Sequence, residues 1–135
     1  LIDDTPVANF PFEDCWLESA DGVMVSCTGG ATADFNTDAA GQTTWGSPLQ
    51  AGGSSEALTV VYISGSALTT GAGLAISHNS ADINGDGFVN LTDVPLFADD
   101  FHGGSYVFRS DFVFDGAVNL SDVVRFAQAL GATCP

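Results

Sequence analysis

Short strand-like stretches mark the first 77 residues, some with apolar and polar positions alternating with a period near two, and a period near 3.6 marks two later stretches. Residues 22–27, GVMVSC, follow an Asp21-Gly22 turn signal and put Val23, Val25 and Cys27 on one face, which predicts a strand. Residues 31–35 and 42–45 flank a turn-rich segment and read as a hairpin with Trp45 as its buried anchor. The continuous apolar run at 57–63 predicts a strand buried on both faces, and shorter strands follow at 67–70 and 74–77. Residues 1–14 carry Pro6 and Pro11 among Val7, Phe10 and Phe12, a pattern for an extended arm or edge strand. Residues 1–79 therefore predict a small all-β, sandwich-like unit.

The period switches after a junction at 78–81. Val94, Phe97, Ala98 and Phe101 stand at i, i+3, i+4 and i+7, one face of a short helix with Pro95 in its first turn and Gly103-Gly104 as its stop. Val123, Phe126, Ala127 and Leu130 repeat the face 29 residues later, with Gly131 as the stop. The two helices are expected to pack on each other, with a β bridge between Val89 and Val118. The fold class is α+β.

Each helix is preceded by a loop with calcium-ligand spacing. In DINGDGFVNLTD, residues 82–93, oxygen-bearing side chains occupy positions 1, 3, 5, 9 and 12 as Asp82, Asn84, Asp86, Asn90 and Asp93. Position 7 offers the Phe88 carbonyl, and Gly87 at position 6 permits the sharp turn. In DFVFDGAVNLSD, residues 111–122, Asp111, Asp115, Gly116, Asn119 and Asp122 fall in register and Ala117 offers the carbonyl. Val113 at position 3 has no side-chain oxygen, so two Ca²⁺ sites are expected, the second weaker. Asn90 and Asn119 also satisfy the NxS/T pattern, but their place at loop position 9 favours use as ligands.

A DxNxDGxxNxxD loop followed by a short helix, twice over, resembles the type I dockerin module of secreted bacterial proteins, across residues 80–134. The resemblance implies two loop-helix motifs related by a pseudo-twofold axis, docking onto a β-sandwich partner called cohesin. It implies partner contacts at loop positions 10 and 11, here Leu91, Thr92, Leu120 and Ser121. This chain has Asp99-Asp100 and Gln128-Ala129 where dockerin helices usually carry basic residues. Leucine at both symmetric positions could instead address the chain's own β part. Residues 37–45 also look like a segment of bacterial immunoglobulin-like domains.

Seventeen acids against Arg109 and Arg125 give a formal charge of −15, which argues against nucleic acid or anionic lipid as a partner. With 45% apolar and 14% charged residues the chain is expected to fold. Cys15 and Cys27 flank a turn and could pair, leaving Cys134 odd, although three pairings are open. No stretch reaches a membrane span, and no signal-like segment begins at Leu1, so a secreted chain or fragment with its leader removed is expected.

No nucleophile elbow, HExxH motif or phosphate-cradling loop is present, and the isolated His78 and His102 make no zinc cluster, so the expectation is not an enzyme. Glu13, Asp14 and Glu18 read as a solvated edge. The leading expectation is a non-catalytic, calcium-stabilised secreted assembly protein that associates with itself, as an oligomer or fibre, or with a cohesin-like β domain. The alternatives are a C-terminal fragment of a larger secreted enzyme and a carbohydrate-binding module using Trp16 or Trp45.

Overall fold

In the computed structural model, which describes residues 5–134, the first regular strand is β1, Cys15–Ser19, led in by a 3-10 turn at Phe12–Asp14. The first four residues of the expected arm lie outside the described residues. Short strands follow as β2 Val25–Ser26, β3 Ala51–Gly52, β4 Ser54–Ser55, β5 Thr59–Ile63, β6 Ser66–Ala67 and β7 His78–Asn79. Then come α1, Asp93–His102, and α2, Leu120–Ala129. The architecture is α+β with short sheets: β1-β5-β6, and the two-stranded ladders β2-β3 and β4-β7. No helix among the described residues is long and apolar enough to cross a membrane.

β1 runs antiparallel to β5 with Leu17 opposite Val61, and strand alternation turns Cys15, Leu17 and Ser19 inward. Met24, Ala31, Ala33 and Thr59 are buried as well. β5, expected to be buried on both faces, is fully buried only at Thr59.

The expected face of residues 22–27 is inverted. Val23 and Val25 are each 49% exposed, and Met24 between them is buried. The Ser19 hydroxyl accepts the Met24 N–H at 3.0 Å and fixes that register, and a one-residue slip sends every side chain to the other face. The 31–45 segment follows the path of a hairpin without forming a named strand. Asp34 N–H donates to the Thr44 carbonyl, and the Asp34 carboxylate accepts from Thr44 Oγ1 and Gly46 N–H. Trp45 is half-buried, its Nε1 donating to the Ala31 carbonyl.

Of the three open pairings, the disulfide joins Cys27 to Cys134 across 107 residues, not Cys15 to Cys27. Cys15 faces into the sheet core as a free thiol, and burial, with Asp14 beside it, pushes that thiol's pKa up.

The helices pack around Ile83, Val89, Phe97 and Phe126, with Val94, Leu96, Phe101, Phe112 and Val123 against them. Ala127 and Leu130, expected inward, are exposed. α2 ends at Ala129 and the chain extends at Leu130, so Ala129 packs on the core instead. Val89 is bonded to Ala132 and Gly131, not bridged to Val118, because the C-terminal segment occupies that edge.

The junction is itself structured. β7 pairs with β4, and Asn79 Nδ2 donates to the carbonyls of Phe108 and Asp111 at 2.9 and 2.8 Å. Asp100, buried near the end of α1, takes a bidentate pair from Arg109 at 2.7 and 2.9 Å and a bond from the Ser110 hydroxyl at 2.6 Å. Burial alone would raise the Asp100 pKa, but these bonds and the Arg109 charge together hold it below the usual carboxylate range.

Candidate metal centre

Aspartate and asparagine side chains readily bond the backbone a few residues on, which lets a short polar loop fold around its own carboxylates. Loop position 1 shows this first. Asp82 Oδ1 accepts Asp86 N–H at 3.1 Å, and Oδ2 accepts Gly87 N–H at 2.8 Å. Asp111 repeats both bonds, from Asp115 N–H at 3.1 Å and Gly116 N–H at 3.0 Å. Gly87 and Gly116 both have positive φ, which glycine adopts without strain.

Position 12 repeats as well. Asp93 accepts from Asn84 N–H at 3.1 Å and Asn90 N–H at 3.0 Å. Asp122 accepts from Val113 N–H at 3.1 Å and Asn119 N–H at 2.9 Å, and also from Phe112 N–H at 2.7 Å. Positions 5 and 9 follow suit. Asp86 accepts from Phe88 N–H and Asp115 from Ala117 N–H, while Asn90 accepts from Thr92 N–H and Asn119 from Ser121 N–H. Asn119 and Asp122 thereby form the capping box that starts α2. One hydrogen-bond frame is thus built twice, 29 residues apart.

The frame buries charge. Asp82, Asp93, Asp111 and Asp122 are 5%, 0%, 1% and 0% exposed, and they accept hydrogen bonds from backbone amides and, for Asp111, from the Tyr106 hydroxyl at 3.0 Å. A buried carboxylate is costly without a counter-charge, and Arg109 is committed to Asp100. A hard dication suits this donor set, which is all oxygen. In the second loop the carboxylates of Asp111, Asp115 and Asp122 converge, with one oxygen from each lying within 4.8 Å of the others, so this cluster could hold a metal ion.

In the first loop Asn84 Nδ2 binds Asp86 Oδ2 at 3.0 Å and Thr92 Oγ1 at 2.9 Å, so that side chain presently joins two neighbours of the loop. The tighter carboxylate group therefore belongs to the loop that lacks an oxygen at position 3.

The residues expected at partner-facing positions lie outside the frame's interior. Leu91 and Leu120 are 81% and 73% exposed, the highest values among the described large hydrophobic residues that stand out in solvent. Thr92 and Ser121 are also exposed, with Thr92 tied by its hydroxyl to Asn90 Oδ1. Sequence reasoning missed Tyr106, and it missed the glycines and C-terminal residues that touch the first loop. Nothing in their spacing marks them, because their role depends on contacts across the chain. In comparisons with known protein families, curated proteins and solved structures, no match to this chain was found.

Proposed function

We propose that the chain is a non-catalytic, calcium-stabilised association module of a secreted protein, with a dockerin-like pair of loops as its calcium unit. Asp82, Asn84, Asp86, Phe88, Asn90 and Asp93 would hold one Ca²⁺, and Asp111, Asp115, Ala117, Asn119 and Asp122 the other. The metal would supply the positive charge that four buried carboxylates lack. Five side-chain oxygens against four favour tighter binding at the first loop.

The observation that carries the reading is the repeated frame with a leucine standing out of it at the same position each time. A side chain that exposes most of its apolar surface in both repeats suits a two-point contact with a protein partner, either a second copy of the chain or a cohesin-like β domain. The disulfide suits an oxidising, extracellular setting. Light scattering of the purified chain with calcium and with chelator tests the reading. Calcium-dependent association supports self-assembly, and a calcium-indifferent monomer with no partner sinks it.

A carbohydrate-binding reading draws on a different feature. Trp16 stacks on Tyr62 with ring centroids 5.8 Å apart and lines a cleft of about 470 Å³ with Glu13, Glu18 and Thr32. Retention on polysaccharide, lost in Trp16→Ala, would support it.

A further inference from the structure

We propose that the first calcium loop is completed by residues that flank it in the sequence, from the β part before it and from the C-terminus after it. The Gly52-Gly53 corner of the β part and the C-terminal strap 131–134 act as positioning residues for Asp82 and Phe88. The inference rests on the calcium reading above and goes beyond it by naming residues outside the loop that set its affinity.

One support is at loop position 1. Gly53 N–H donates to the Asp82 carbonyl at 2.7 Å. A Cβ added at Gly52 would run into Asp82 Oδ2 and stand 2.8 Å from Asp82 Cγ. Only glycine lets the end of β3 lie this close to a metal-ligating carboxylate. The same contact continues at Gly85, where a Cβ would meet Val25 Cγ2 at 3.3 Å.

The other support is on the far side of the loop. Cys134 N–H donates to the Gly87 carbonyl at 2.9 Å, Val89 N–H to Ala132 at 2.8 Å, and Gly131 N–H to Val89 at 2.8 Å, around a Phe88–Thr133 bridge. The carbonyls of residues 87 and 89 both point at the strap, so strand alternation turns the Phe88 carbonyl the other way, as a ligand at position 7 requires. The Cys27–Cys134 disulfide ties the strap to the β part beside the Cys27 N–H bond to Gln50. Loop, strap, disulfide and the β2-β3 ladder close into one ring. A seam cavity of about 260 Å³ is lined by Cys27, Gln50, Gly52, Asp82, Gly87 and Cys134.

The second loop has only part of this. Asn79 Nδ2 takes the place of Gly53 N–H on the Asp111 carbonyl. A Cβ at Gly87 would lie 3.7 Å from Cys134 Sγ, whereas one at Gly116 would meet nothing within 4 Å. Outer supports of this kind commonly tune metal affinity by about 10–100-fold.

The test is a calcium titration of the full chain followed by amide NMR. Gly87 and Gly116 donate to the position 1 carboxylate of their own loops, so each amide reports one site. In Gly52→Ala, and separately in Cys27→Ser/Cys134→Ser, the Gly87 midpoint is expected to rise at least about tenfold while the Gly116 midpoint stays within about twofold. An unchanged Gly87 midpoint in both variants overturns the proposal. So do midpoints that move together, or loss of folded dispersion in both variants, because the supports would then serve the whole fold and not one loop. If neither amide responds in the unaltered chain, the calcium reading itself fails, and this inference fails with it.

Discussion

Phe97 stacks on Phe126, its own counterpart one repeat later, with ring centroids 5.0 Å apart and planes 5° from parallel. The two residues occupy the same position in the two repeats. The two loop-helix motifs therefore share one contact at the centre of their core, with Phe112 stacked on both rings.

Truncating either ring should cost about the same. Phe97→Ala and Phe126→Ala are each expected to lose about 3–5 kcal/mol in chemical denaturation, and the double variant clearly less than the sum. Additive losses would mean that the rings are not one shared contact.

Calcium should change how the fold responds to salt. Two bound Ca²⁺ would take the formal charge from −15 to −11 and neutralise the most deeply buried acids. In chelator the melting temperature should be lower and should climb with added NaCl, while the calcium-loaded protein should respond less, because salt screens like-charge repulsion. Equal salt slopes in both states would count against this.

Stability should fall as pH drops through the histidine range. Burial, only partly offset by a hydrogen bond to the Ala51 backbone, holds His78 below its ordinary value, and its buried Nε2 has no partner among the described residues. A lowered folded pKa means that the unfolded chain binds the proton first. The contribution is complete above the unfolded value of about 6.5 and is lost as pH falls from there through the folded value. Calcium-saturated melts from pH 8 to 5 should show this slope, and His78→Asn should flatten it.

Much of the paired loop-helix region was legible in the sequence because its determinants are local. Ligand spacing, the position 6 glycines and the helical period all lie within one repeat, so α1, α2 and the frame around Asp82, Asp93, Asp111 and Asp122 follow from short-range chemistry. The β part was not legible in the same way. The Ser19–Met24 bond decides which valines face solvent, and Asp34 holds a hairpin path that no apolar alternation specifies. The Cys27–Cys134 pairing and the contact of Gly52 with Asp82 depend on tertiary approach, which spacing does not encode.

The exposed leucines separate association from folding. Leu91→Ser/Leu120→Ser should leave calcium binding and melting nearly unchanged, since surface changes of this kind cost about 0.5 kcal/mol or less. It should abolish calcium-dependent association by light scattering. Association that survives the double change would move the contact elsewhere on the surface.

The most direct measurement is calcium titration calorimetry of the full chain, repeated on Asp93→Ala and Asp122→Ala. Two ions per chain are expected, the tighter site lost in Asp93→Ala and the weaker one lost in Asp122→Ala. Two equal tight sites would contradict the ranking, and no stoichiometric binding would contradict the calcium clamp itself.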